Sequence, residues 1–255
     1  MAVDFTMKKL HELYGAIQSA GYEIMPFIDY LKNRKPAKII IVRHDVERQE
    51  INALQIAELE KNSGLRTSYY FRYRNGVFCE EIIKKISRMG HEIGYHYEDL
   101  TLAQGNFEEA LRIFQRNLEI LRQWCRVETI CMHGSPFTQW DNRLIWEKYN
   151  YHEFDIIGEP YFDLDFNRIL YLTDTGRRWE GARVNVRDKV KSQFRFNFRT
   201  TDDIIRAFQG RTMPAHIMMN IHPNRWNDKP HLWLRELIWQ NMKNIGKWIL
   251  VRSRT

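Results

Sequence analysis

The chain has 255 residues, 44% hydrophobic and 28% charged, which suits one α/β domain with a sizeable core and excludes a disordered or fibrous chain. Its net charge of +7 comes from scattered Lys and Arg without a long basic run, so no nucleic-acid partner is expected. No segment approaches the roughly 20 apolar residues of a membrane span, and three cysteines without a CxxC pair indicate a reducing compartment, so the expected location is cytoplasmic.

Residues 5–31 read as two helices. Lys38-Ile-Ile-Ile-Val42 is a continuous apolar run, the pattern of a strand buried on both faces, and leads into Arg43-His-Asp-Val-Glu47. Residues 49–62 carry Ile51, Leu54, Ile56 and Leu59 as a helical stripe. Thr67–Phe71 reads as a second strand, and 77–89 as a helix stopped by Gly90. Glu92–Tyr95 reads as a third strand, running into His96. Residues 107–124 form the clearest helix, with Phe107, Leu111, Phe114, Leu118 and Leu121 on one face and Asn106 as cap. Glu128–Met132 is a fourth strand, before His133-Gly-Ser-Pro136. The stretch 151–200 is irregular, with strand-like pieces at Arg168–Leu172 and Ser192–Phe198. A short helix near 201–209, a last strand His216–Ile221 and a closing helix over 231–248 complete the chain.

Strands alternating with helices predict βα units around a mostly parallel sheet. Polar residues then recur where strands end: Asp45, His96, His133, Asp174 and His222. In barrels and open α/β folds that edge holds the site. A carboxylate and an imidazole there can share a divalent metal, which activates water and polarises a carbonyl. His222 is the natural candidate to protonate a leaving amine.

Gly90-His-Glu-Ile-Gly-Tyr-His96 resembles the second motif of the polysaccharide deacetylases, the carbohydrate esterases of family four. Arg43-His-Asp-Val-Glu47 is similar to the first motif, which holds a general base and a metal ligand. His222 matches the final motif, whose His is the general acid, and Asp174 before Thr175-Gly-Arg-Arg-Trp179 matches the carboxylate that orients it. The resemblance runs from about residue 37 to 225. It implies a single-domain distorted (β/α) barrel of about seven strands, with 1–36 an N-terminal helical extension, 37–225 the barrel core and 226–255 a closing helix. It also implies a divalent metal, zinc foremost, held by Asp45, His96 and a third ligand. Asp45 serves as base or as ligand. Leu100 occupies the place of the family's second metal His, four residues after His96. The replacements are Glu47, Glu98, Asp99 and His133, with His133 preferred because its strand end points at the same opening.

The same segments are similar to a divergent branch associated with O-antigen and capsule assembly. That similarity implies removal of an N-acyl group, acetyl foremost, from a nucleotide- or lipid-linked amino sugar. Arg43, Arg177 and Arg225 are candidate contacts for an anionic group. Tyr97, Ser135 and Trp226 are the further candidate substrate contacts. Two other readings stay open: a C–N hydrolase acting on a small cyclic amide, and a metal-free glycan-binding relative.

Overall fold

A computed structural model describes residues 3–33, 36–74, 77–135, 138–179, 188 and 190–253. Seven strands form one parallel sheet: β1 (Glu23–Met25), β2 (Ile39–Val46), β3 (Ser68–Phe71), β4 (Glu92–Tyr97), β5 (Ile130–Met132), β6 (Leu170–Thr173) and β7 (His216–Ile221). The order is β5-β4-β3-β2-β7-β6, with β1 also paired to β2. Ten α-helices surround the sheet among the described residues: α1 (Met7–Ser19), α2 (Phe27–Lys32), α3 (Glu50–Asn62), α4 (Glu80–Arg88), α5 (Asp99–Leu102), α6 (Phe107–Arg122), α7 (Ile145–Lys148), α8 (Pro160–Asp163), α9 (Thr201–Gln209) and α10 (Pro230–Ser253). This is the expected single-domain α/β architecture, a curled parallel sheet in the form of a distorted half-barrel.

Central β2 explains the curl. β7 lies along Ile39–His44, while the opposite edge is shared end to end, β1 at Ile39–Ile41 and β3 at Arg43–Val46. All eight residues of β2 are buried, and Ile39–Val42 have no exposed surface. Each such side chain contributes about 2 kcal/mol through burial.

Strand alternation divides the side chains between two environments. Outward-facing Ile40, Val42, Tyr69, Ile93, Tyr95, Ile130, Leu172, Ile217 and Met219 join the helices in the main core. Inside the curl, a small apolar plug of Phe27, Ile41, Leu164, Phe166, Ile169 and Met218 closes the N-terminal end. Above it the interior turns polar, with Arg43, Asp45, Ser68, Glu92, His96 and Asn220 on the inner rows set by strand register.

The helices at 107–122 and 80–88 carry the expected caps, and α9 has one that was not expected. Asn106 accepts a bond from the Glu109 amide at the start of α6. Gly90 takes φ +93° just past α4, a left-handed position that suits glycine. A capping box of Thr200 and Asp203 opens α9.

Other expectations are corrected. The first 36 residues are not only a helical extension, because Glu23–Met25 pairs with the central strand. Ser192–Phe198 forms no strand; it runs irregularly with Phe194, Phe196 and Phe198 in a row of ring contacts. Ile51 is 52% exposed, and the buried face of α3 instead includes Asn52, Leu54, Ile56 and Glu60. Glu60 sits in the core, where it accepts bonds from Tyr14, Thr67 and Tyr69 and meets His44 Nε2 at 2.8 Å. That network accounts for a helix face that looks polar in sequence.

Gly94 makes the polar interior close-packed. A Cβ there would lie 2.3 Å from the Tyr70 ring and 3.0 Å from the Thr129 carbonyl oxygen. Gly94→Ala is therefore expected to destabilise the fold by about 2 kcal/mol, read from the midpoint of denaturant unfolding; an unchanged midpoint would show that Tyr70 moves without cost.

Candidate active site

The C-terminal ends of the strands open into a cleft of about 430 Å³. Asp45 from the end of β2, Glu47 just after it, His96 from β4, Glu98 after it, His133 after β5 and His222 after β7 all line it. Residues far apart in sequence thus meet because parallel strands deliver their C-terminal ends to one rim.

On one wall Glu47, His96 and His133 offer donor atoms that all lie within 4.8 Å of one another. Glu47 Oε1 is 3.3 Å from His133 Nε2 and 3.7 Å from His222 Nε2. His96 is oriented by Nδ1, 2.9 Å from the Cys131 carbonyl oxygen, which turns Nε2 toward Asp45 Oδ2 at 3.9 Å. His133 is oriented likewise by Nδ1, 3.0 Å from Glu98 Oε2 and 3.0 Å from Ser135 Oγ. Glu98 is gripped in turn by the Arg72 guanidinium. An imidazole fixed through one nitrogen by an oxygen acceptor presents the other for metal binding.

Asp45 lies beside this group. Its Oδ2 accepts bonds from Arg43 at 3.1 Å and Asn220 at 2.8 Å, while its buried Oδ1 has no protein partner among the described residues. A second possible donor set is Asp45, His96 and Cys131. Burial drives the Cys131 thiol well above its usual range, and Cys131 is not on the cleft wall. Glu47, His96 and His133 are therefore the better ligand set, and two nitrogens with one oxygen suit zinc.

The opposite wall is built on Asp174. This fully buried carboxylate bonds His222 Nδ1 at 2.7 Å and accepts from the His222 amide at 3.2 and 3.1 Å to its two oxygens. It also accepts from the Arg225 guanidinium and from Trp226 Nε1 at 2.8 Å. Burial opposes its charge, but Arg225 and His222 outweigh that and hold the carboxyl below its ordinary value. His222 is thereby fixed through Nδ1, with Nε2 facing the cleft.

Protonation of the first wall follows its charges. Burial lowers His96 to about 4, against the pull of Asp45, so it is neutral near pH 7. Burial opposes the charge of both His133 and Glu47, yet their pairing dominates: His133 is raised and Glu47 is held well below the carboxylate range. Glu98 falls to about 2 because His133 and Arg72 overcome the cost of burial.

The predicted site residues divide into those on the cleft wall and those behind it. Asp45, His96, His133, Ser135, His222 and Arg225 line it, and Asp174 supports it from beneath. Arg43 has no exposed surface; it bonds Asp45, Tyr161 and Tyr171 and balances buried charge instead of contacting substrate. Tyr97 falls on the outward parity of β4 and packs against Phe114 and Trp146. Arg177 stacks between Phe5 and Trp233, away from the cleft. Trp226 is fully buried against Phe5 and Trp179, with its ring nitrogen on Asp174. Of the possible third ligands, Glu47 and His133 come together at one point, and Asp99 turns away to Tyr95 and Asn117. Pro136 lies outside the described residues.

The structure adds residues that the sequence did not single out. Arg72 and Asn220 hold Glu98 and Asp45, while Trp239 and Lys243 of α10 reach the cleft rim. Asp188 also reaches it, accepting from Tyr161 Oη at 2.6 Å and Thr175 Oγ1 at 3.0 Å. Asn220 could have been found from its parity with Met218 on β7. Asp188 belongs to the irregular stretch that carries no periodic signal.

No protein-family profile and no curated protein sequence matches the chain. Among solved structures it is similar to BA3943 from Bacillus anthracis, described as a CE4 family pseudoenzyme, at 12% identity and a TM-score of 0.46, over 82% of this chain and 62% of that one. A BA3943 mutant with restored enzymatic activity is similar at 14% identity and a TM-score of 0.44, over 84% of this chain and 65% of that one. The chain thus spans less than two thirds of the length of these structures. No helix among the described residues is long and apolar enough to cross a membrane.

His133 must lose the proton on Nε2 before that nitrogen can bind a metal. Zinc affinity is therefore expected to fall as pH drops through the raised value of His133, and to rise above it. Competition with a chelator at pH 6 and pH 8 checks this. Glu47→Gln and His133→Ala should each weaken zinc binding at least about tenfold, and unaltered affinity in both would remove this ligand set.

Proposed function

We propose that this protein is a divalent-metal-dependent hydrolase of the polysaccharide deacetylase type, which removes an acyl group from an amino sugar. The supporting observation is the convergence of Glu47, His96 and His133 on one wall of a cleft whose other wall presents His222 on Asp174. The unpartnered Oδ1 of Asp45 is a second sign of fit, because a buried acceptor calls for a donor such as water.

Glu47, His96 and His133 would hold the ion. When bound, a zinc ion lowers the pKa of water to about 7 and polarises the acyl carbonyl. The protein side chains supply positioning and proton transfer. Asp45 takes the role of base and not of ligand: Arg43 and Asn220 fix one of its oxygens, and the other accepts the proton of the attacking water. The water oxygen forms a bond to the acyl carbon, and the carbon–nitrogen bond breaks. His222 Nε2 delivers a proton to the departing amine, while Asp174 keeps the ring in place through Nδ1. The products are a free amino sugar and a carboxylate.

The sequence resemblance supports surface-polysaccharide assembly as the setting, with a nucleotide- or lipid-linked sugar as substrate and the cytoplasm as the place. The cleft suits a sugar-sized ligand. Arg225 and Ser135 remain the sequence-proposed contacts on its wall.

The test is acetate release from acetylated nucleotide sugars by the zinc-loaded protein. His222→Ala should keep the fold and the zinc while turnover falls at least about 100-fold. Full turnover in that variant removes His222 from the mechanism. Wild-type protein that takes up no zinc and releases no acetate would overturn this reading.

A further inference from the structure

Helix α10 leaves an apolar stripe open on the surface while polar side chains on its inner face are buried. Among its described side chains the buried ones are polar: Glu236, Gln240 and Asn244 are 5%, 1% and 9% exposed. Glu236 accepts bonds from Arg48 at 3.0 Å and Asn224 at 2.9 Å, and Asn244 donates to the Gly176 carbonyl oxygen at 2.9 Å. The opposite face is apolar and open. Leu234, Ile238, Met242 and Ile245 are 51%, 54%, 60% and 63% exposed. At the helical pitch these four fall within an arc of about 80° and make a stripe about 16 Å long.

We propose that α10 is an interfacial helix that seats this stripe in the surface of an anionic lipid bilayer. A helix with one apolar face and cationic residues beside it lies in the headgroup plane and does not span. Arg235 and Lys243 follow the stripe around the helix, with Trp239 between them. Arg235 is exposed at the edge of the stripe, and the helix's one acid, Glu236, is buried and paired with Arg48. That charge favours anionic headgroups and opposes pairing of two copies through the same face, which would bring like charges together. Trp239 is 47% exposed, a ring half in and half out as at a membrane interface.

The placement has a consequence for the cleft. Trp239 lies beside the stripe, and together with Lys243 further round the helix it lines the cleft mouth. Docking of α10 would therefore bring the mouth to the plane of the headgroups. Docking itself needs neither a metal nor His222, so it goes beyond the hydrolase reading and is testable apart from it.

The experiment is sedimentation of the full chain with vesicles of phosphatidylglycerol and phosphatidylcholine, compared with phosphatidylcholine alone. Wild-type protein should sediment with the mixed vesicles, less as salt is raised, and weakly with the neutral ones. The combined variant Leu234→Ser, Ile238→Ser and Met242→Ser alters exposed positions only and should fold, as circular dichroism will show. Its partition should drop at least about tenfold. His222→Ala should partition like wild type, so loss of turnover and loss of docking are separable. Failure of wild-type protein to sediment with mixed vesicles overturns the proposal, as does wild-type partition by the triple variant. A soluble dimer that this variant dissociates, without vesicle binding, assigns the stripe to self-association instead.

Discussion

Period-two alternation of side chains along a curled parallel sheet is the constraint on which the site depends. On β2 it sends His44 outward to Glu60 and Asp45 inward to the cleft. On β4 it sends Tyr95 and Tyr97 to the helical shell and His96 to the interior. Hydrogen-bond register across the strands then places His96 level with Cys131 and Arg43 level with Asn220. A slip of one residue in either strand would bury a cleft-facing carboxylate or imidazole among the helices and bring an aromatic ring or the wrong imidazole to the rim.

A polar barrel interior is costly unless its charges are paired. Arg43, wholly buried, lies against Asp45 at 3.1 Å and Asp188 at 3.8 Å. Asp174 satisfies His222, Arg225 and Trp226 together, and Glu98 joins Arg72 to His133. Such pairing holds the cleft-facing carboxylate and imidazole atoms in one orientation before any ligand arrives. The mouth has a different character. Glu236 ties α10 to Arg48, and Arg48, Trp239 and Lys243 all line the cleft.

The linear sequence by itself determined the alternation of strands and helices, the buried strand at Ile39–Val42, the caps of α4 and α6, and the run of acids and imidazoles near strand ends. These depend on local period and turn chemistry, which short stretches encode. It identified Asp45, His96, His133, Asp174, Ser135, Arg225 and His222, residues that the structure gathers at or beneath one cleft. Only the tertiary structure decided which neighbours face that cleft. It drew Glu47 to His96 and His133, withdrew Tyr97, Arg43, Arg177 and Trp226 behind the wall, and inserted Glu23–Met25 beside the central strand. Parity, register and the partner of each buried charge are relations between distant segments, and no local pattern carries them.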